Sequence, residues 1–309
     1  MAGQWTVQQI PSQLGKRAIV TGANIGLGFQ TARELARAGA QVVMACRSLE
    51  RGNAAAEKIK AEQPSAQISV ALLDLSSLAS VRSFAQSAIA AGEPVDLLIN
   101  NAGMMALPKR EVSVDGFEMQ LATNYLGHFA LTGLLLPVLL RAGAPRVVSV
   151  SSNAHKRGQL HLDDFQQERG YSPFKSYGQT KLAMLVFARE LQKQSEAHGS
   201  KLVSVAAHPG LSSTAIVRKL EGPPKFIIPL VVGVLGQSDA QGALPQLYAA
   251  TSAQAQAGGY YGPHGFSEFK GYPVPAKVAS QAADPAAGPR LWTASEQATG
   301  VTYDWAAKA

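Results

Sequence analysis

The sequence predicts an α/β fold, a doubly wound parallel sheet in a single domain with an irregular C-terminal region. Three observations predict it. Short runs rich in Val, Ile and Leu alternate with longer helical patterns. The runs lack the apolar-polar alternation of a half-exposed strand, which marks strands buried on both faces. A glycine-rich segment follows the first run directly.

The expected strands cover residues 17–20, 41–45, 68–73, 95–99, 146–150 and 202–207. Helical patterns lie between them at 26–38, 48–63, 78–91, 116–140 and 176–198. Such repetition implies parallel strands joined by right-handed crossovers, with helices on both faces. After Pro209 the regularity ends. A Gly/Pro-bearing region runs to about residue 236, then a helix over 239–250 and a last short strand at 258–261. The tail from Lys270 is rich in Ala and Pro, with one helical stretch near 285–298. No repeat or long linker divides the chain. The expectation is therefore one domain over 1–309, with a core at 15–210 and a lid and C-terminal region at 211–309.

Composition narrows the function. Of 309 residues, 46% are hydrophobic and 16% charged, enough apolar content for a packed core. The net charge is +7, but Lys and Arg are scattered, which argues against nucleic acid and leaves an anionic membrane or an anionic small molecule as a partner. The lone cysteine, Cys46, excludes an internal disulfide and a Cys-rich zinc site. The six histidines show no metal-ligand spacing, so no metal is expected. The first 17 residues lack a basic start followed by an apolar run, and a cytoplasmic location is the expectation.

Residues 119–140 are uncharged and long enough to span a bilayer. They also carry Gln120, Asn124, His128 and Pro137, which lipid would penalise, so they read as a buried helix and no transmembrane segment is expected. Residues 226–237 are too short to span and read either as a substrate lid or as a peripheral membrane-contact patch.

The first strand runs into Thr21, Gly22, Ala23, Asn24, Ile25, Gly26, Leu27 and Gly28, where a helix starts. Glycines at a strand-to-helix turn let the backbone approach a pyrophosphate, and the helix N-terminus offers free N–H groups and positive dipole. The second strand ends in Cys46 and Arg47, with no carboxylate to hold a ribose hydroxyl. A planar guanidinium there suits a 2′-phosphate, which favours NADP over NAD. The third strand ends at Asp74 and Leu75, the fourth at Asn101, Ala102 and Gly103. Small residues and amides at the latter suit close approach to a cofactor.

Tyr177 and Lys181 stand four residues apart in a helical segment, hence on one face. A phenol is a poor proton donor or acceptor near neutrality unless a nearby cation lowers its pKa. Ser151 and Ser152 close the fifth strand, at the edge where ligands bind open α/β sheets. By strand alternation Ser151 should point to the opposite face from Ser152. Asn124 sits inside an apolar helical pattern, where an amide is costly without partners.

The spacing Gly22-x-x-x-Gly26-x-Gly28, with Ser152, Tyr177 and Lys181 downstream, resembles the short-chain dehydrogenase/reductase family of Rossmann-fold enzymes. The resemblance is specific over about residues 15–210. It implies that Asn124, Ser152, Tyr177 and Lys181 form the catalytic set, with Asn124 holding a water linked to Lys181. It also implies that Asp74 approaches the adenine, unless it serves only as a helix N-cap. Pro209, Gly210 and Thr214 would cover the nicotinamide.

Local strings such as Asn124-Tyr125-Leu126-Gly127-His128-Phe129 and His208-Pro209-Gly210 resemble the retinol dehydrogenase-like branch and its bacterial relatives. That branch implies an NADP(H)-dependent oxidoreductase acting on bulky apolar aldehydes, ketones or alcohols. His155 and His161 then read as structural. A homodimer or homotetramer is implied, as many relatives pair through helices. The other reading is a non-catalytic NADP(H)-binding sensor, although such proteins typically lose the Tyr or the Lys and this chain keeps both.

Overall fold

The computed structural model describes residues 4–211 and 236–306. The expected strands form as β1 (Arg17–Thr21), β2 (Gln41–Cys46), β3 (Ile68–Leu72), β4 (Leu97–Asn100), β5 (Arg146–Val150), β6 (Val203–Ala207) and β7 (Tyr260–Pro263). A further strand, β8 (Pro273–Pro275), was not expected. The order is β3-β2-β1-β4-β5-β6-β7-β8. All pairs are parallel except β7 with β8. The chain reverses ahead of β8 at Gly271, whose φ of +127° suits a residue without a Cβ.

Neighbouring residues on a strand feed different cores, which is why the strands read as continuous apolar runs. Ala18 and Val20 pack on one face of the sheet with α1 (Gly26–Arg37), α2 (Leu49–Glu62) and α8 (Asp239–Thr251). Ile19 packs on the other with α3 (Leu78–Ala90), α7 (Pro173–Ala197) and α10 (Ala287–Thr299). Leu98 and Val147 join the Ile19 core, while Leu97 and Val148 join the other. The strand order reverses between β1 and β4, the switch point at whose strand C-termini open α/β sheets bind ligands.

The helix expected over 116–140 is interrupted. Gly116 turns at φ +85°, and the buried Glu118 carboxylate caps α4 (Met119–Leu121) by accepting the N–H groups of Gln120 and Leu121. A π-helical turn, Ala122–Leu126, separates α4 from α5 (Gly127–Leu134). Pro137, which has no N–H to donate, sits in the first turn of α6 (Leu136–Leu140). The widened turn matters because Asn124 lies in it, and such bulges recur at functional sites. Among the described residues no helix is long and apolar enough to cross a membrane.

α5 packs its first residue directly on the turn after β3. A Cβ at Gly127 would collide with the Leu75 carbonyl oxygen, with backbone on both sides of the contact. Gly127→Ala should therefore lower stability by about 1–3 kcal/mol, the usual penalty for overpacking. Urea denaturation measures it, and an unchanged midpoint would show that the turn yields freely.

Candidate active site

β1 delivers the chain into the glycine turn. Gly22 and Gly26 have φ of +66° and +63°, conformations that side chains resist. The buried Thr21 hydroxyl accepts the N–H groups of Asn101 and Ala102, each at 2.9 Å, and so ties the turn to the end of β4. Asn101 Nδ2 adds a bond to the Thr21 carbonyl at 2.8 Å. Below the turn, the buried Cys46 thiol takes hydrogen bonds from the Ala23 and Asn24 N–H groups. Burial nevertheless pushes its pKa up.

The fit to a dinucleotide can be tested on this cradle. Ile25 precedes α1 and supplies no side-chain cap, so the leading N–H groups of Gly26, Leu27 and Gly28 have no partner within the helix. A Cβ at residue 28 would collide with the Gly22 carbonyl oxygen and lie 2.6 Å from Asn101 Nδ2. The turn closes this tightly only because residue 28 is glycine, and it leaves a row of unpaired donors at the positive end of a helix. Those residues fit a pyrophosphate. Arg47 is exposed at the end of β2, beyond Cys46.

Asp74 does not cap a helix. Its Oδ1 accepts the Ser76 N–H at 2.9 Å and the Ser76 hydroxyl at 2.6 Å, and Ser77 is the N-cap of α3. A local turn with Ser76 outcompetes the helix terminus for this carboxylate. Leu75 is buried against α5.

The reaction centre lies between β5 and α7. Ser152 caps the 3₁₀ turn Asn153–Arg157, its hydroxyl accepting the Ala154 N–H at 3.2 Å. The same hydroxyl lies close enough to the Tyr177 phenol to lower its pKa. Lys181 is buried and donates from Nζ to the Val150 carbonyl at 2.9 Å. Its Nζ lies 5.7 Å from the centre of the Tyr177 ring.

Burial raises the pKa of Tyr177 against the lowering effect of Ser152, and burial lowers that of Lys181 to about 8. Ser151 departs from the expectation that it faces away. Its hydroxyl donates to the Lys181 carbonyl at 2.7 Å, so both serines bond α7. The strand has already ended at Val150, so its alternation no longer governs Ser151.

Asn124 is fully buried and well partnered. Its Nδ2 donates to the Met104 carbonyl at 2.8 Å and to Thr180 Oγ1 at 3.0 Å, while Oδ1 accepts the Met104 N–H at 2.8 Å. A Cβ at Gly103 would lie 3.3 Å from Asn124 Oδ1 and 3.4 Å from Lys181 Nζ. Gly103 therefore borders both, and its neighbour Ala102 lies where a Cβ on Gly22 would meet it at 3.0 Å. Backbone contacts thus run without a gap from the glycine turn to the ammonium.

Pro209 and Gly210 follow β6, with Gly210 at φ +68° and the Pro209 carbonyl held by Gln237 Nε2 at 2.7 Å. Thr214 lies outside the described residues, as do residues 226–235 of the expected lid or membrane patch. His155 is buried, with Nδ1 2.7 Å from the Ser152 carbonyl, and His161 is exposed. Among the described residues no His/Cys/Asp/Glu group is arranged to hold a metal ion.

Two groups next to this centre were missed. His128 is buried, with Nε2 2.9 Å from Thr21 Oγ1 and Nδ1 3.1 Å from the Asn124 carbonyl. Burial drives its pKa down to about 3, so it is neutral. Its spacing of four from Asn124 was a signal that could have found it. The other group is Glu268, whose carboxylate meets Lys156 at 2.8 Å and His208 at 3.2 Å. No local pattern joins residues so far apart in sequence.

Comparison with known proteins agrees with this geometry. The family model described as short chain dehydrogenase matches residues 16–224. Retinol dehydrogenase 12 of Mus musculus is 37% identical over 96% of this chain and 89% of its own length. Polyprenol dehydrogenase of Mus musculus is 41% identical over 84% of this chain and 79% of its own. A crystal structure of an uncharacterised protein from Mycobacterium paratuberculosis superposes with a TM-score of 0.81 at 40% identity, covering 98% of this chain and all of that one.

The buried ammonium makes a prediction about pH. Between about 8 and the ordinary 10.5, the unfolded chain binds a proton at Lys181 that the folded chain does not. Folding should therefore strengthen as pH rises through that window, by up to about 1.4 kcal/mol per unit from this group. Urea unfolding of wild type and Lys181→Met, at about pH 7 and about pH 10, isolates the term. Wild type should gain stability relative to the variant at the higher pH, and a relative loss would contradict the burial.

Proposed function

The chain belongs to the short-chain dehydrogenase family, and on that premise we propose that it interconverts a lipophilic alcohol and its aldehyde or ketone with NADP(H), using Tyr177 as acid and base. One observation carries the reading. The Tyr177 phenol lies beside Ser152, which lowers its pKa, with the buried Lys181 ammonium one helical turn away and Gly103 next to that ammonium. Tyr and Ser hydroxyls thus meet at one point beside a phosphate cradle.

The dinucleotide, when bound, supplies or takes up the hydride. Its pyrophosphate would be held by the N–H groups of Gly26, Leu27 and Gly28, and its adenosine end by Arg47 and Asp74. Asn101, Ala102 and Gly103 would hold its ribose, and Pro209 and Gly210 its nicotinamide. The chain's own residues manage the oxygen and its proton. Ser152 donates a hydrogen bond to the carbonyl oxygen as negative charge grows there.

Tyr177 gives its phenolic proton to that oxygen in the reductive direction and takes one back in the oxidative direction. Burial keeps the phenol protonated in the free chain, which suits an acid. Lys181 remains mostly cationic near neutrality and favours the phenolate left behind. Asn124 Oδ1 and the Lys181 ammonium both border Gly103, so the second lone pair of that oxygen could take up a water bonded to Lys181.

Arg47 supports the choice of NADP, since β2 ends without a carboxylate and its guanidinium is free to reach solvent-side oxygens. The lipophilic substrate class rests on similarity to proteins named for retinol and polyprenol.

A cofactor-linked absorbance assay over aldehydes and ketones, run with NADPH and NADH, tests the reading. Tyr177→Phe should lower kcat on the order of 10²- to 10⁴-fold while NADPH still binds. Near-normal turnover would remove Tyr177 from the chemistry. Arg47→Ala should raise the KM for NADPH by about tenfold and leave that for NADH nearly unchanged, the scale of one charge-assisted hydrogen bond. Equal effects on both would leave Arg47 without a 2′-phosphate to recognise.

A further inference from the structure

We propose that Glu268 is a positioning residue: its carboxylate fastens the loop 265–270 across the turn that follows Ser152 and the turn at Pro209-Gly210, holding both in register for the reaction. This rests on the active site assigned above and adds a residue from a part of the chain remote from it in sequence.

Three contacts converge on this side chain, which is 15% exposed, and a fourth holds its backbone carbonyl. Oε2 meets Lys156 Nζ at 2.8 Å, and Lys156 belongs to the 3₁₀ turn that Ser152 caps. Oε2 also meets His208 Nε2 at 3.2 Å. Oε1 accepts the Lys277 N–H at 3.0 Å, which anchors the loop to the chain beyond β8. The Glu268 carbonyl accepts from Asn153 Nδ2 at 3.1 Å, and the Ser267 carbonyl takes the same donor at 3.2 Å. Asn153 is the residue after Ser152.

His208 passes the tether onward. Its Nδ1 accepts the Gly210 N–H at 3.2 Å, so in the neutral ring the proton sits on Nε2, facing Glu268. Burial lowers the His208 pKa and keeps the ring neutral. Room for the ring exists only because residue 262 is glycine, as a Cβ there would collide with Nε2. The Leu211 N–H then donates to the Phe269 carbonyl at 2.7 Å. Gly210 packs so closely under that carbonyl that a Cβ would collide with it.

Backbone strain marks the loop as held in place. Ser267 and Glu268 both have positive φ, 52° and 57°, and neither is glycine. Two consecutive residues in that region persist only where surrounding contacts over-determine them, and such strain clusters at functional sites. The carboxylate with its partners supplies that constraint. The loop closes on itself through Gly265 N–H to the Lys270 carbonyl at 3.0 Å, so it moves as a unit.

The test compares Glu268→Ala with Glu268→Gln, which keeps the shape and the Oε1 acceptor for Lys277 but places an NH2 group where Oε2 faces Lys156 and His208. Two readouts are taken on the full chain: steady-state kinetics with NADPH and an apolar aldehyde, and amide hydrogen exchange. Glu268→Ala should lower kcat/KM by about tenfold or more, the scale of a small misplacement of reacting groups. The Gly210 and Leu211 amides should lose protection while α7 amides keep theirs. Glu268→Gln should resemble Glu268→Ala in both readouts, because an NH2 group cannot accept from Lys156 or His208, and wild-type behaviour in Glu268→Gln overturns the tether through Oε2. Wild-type kinetics or wild-type protection at Gly210 and Leu211 in Glu268→Ala overturns the proposal. Loss of protection across α7 as well overturns it too, since Glu268 would then support the fold at large. If wild type reduces none of the aldehydes, the proposed reaction fails, and the exchange measurement alone still decides whether the carboxylate holds the two turns.

Discussion

Two reciprocal hydrogen bonds fasten α7 to the end of β5, and the rest of the site depends on them. Ser151 Oγ donates to the Lys181 carbonyl, and Lys181 Nζ donates to the Val150 carbonyl. One bond uses a strand-end side chain and helix backbone, the other a helix side chain and strand backbone. Together they fix both the distance and the rotation of α7 against the sheet. With the helix held, Tyr177 one turn earlier has little choice but to meet Ser152. Glu118 secures the same helix from its N-terminal side, through Ser176 Oγ at 2.8 Å.

The clamp also explains how a charged group survives in the interior. A buried ammonium is costly unless paired or hydrogen-bonded. Lys181 has the Val150 carbonyl, and Gly103 borders both it and Asn124 Oδ1. Residues that would otherwise be separate motifs are joined by backbone contacts: Gly22 on Ala102, Gly103 beside Lys181, Thr21 beneath Asn101. The phosphate cradle and the proton-transfer pair are therefore two ends of one rigid body. His128 adds a strut between them, bridging Thr21 and the Asn124 carbonyl with a ring too buried to ionise.

Much of this was legible in the sequence, for physical reasons. Strands buried on both faces advertise themselves as apolar runs, and all seven expected ones form, although β3 at the sheet edge is half-buried to exposed throughout. Glycines needed at positive φ stand out at a strand-to-helix turn. Tyr177 and Lys181 share a face by helical spacing alone. What escaped is long-range or locally degenerate. The break at Ala122–Leu126 leaves no composition cue, since a π-helical turn uses ordinary helix residues. Asp74 bonds Ser76 rather than capping α3, a choice between two local hydrogen bonds of similar worth. β8 is three residues bracketed by prolines, too short for periodicity. Glu268 reaches His208 only through the fold, and nothing near either residue foretells the pair.

The central claim is that one phenol, Tyr177, shares its cleft with the cationic ring of a bound oxidised nicotinamide dinucleotide and with Lys181. Spectroscopic titration of phenolate in the presence and absence of oxidised cofactor tests it directly, with Tyr177→Phe as the reference. A single phenol in wild type should ionise at distinctly lower pH once the cofactor is added, and Tyr177→Phe should lack that transition. If cofactor leaves the wild-type titration unchanged, or if the variant keeps the shifted phenol, Tyr177 does not face the cofactor and the account fails.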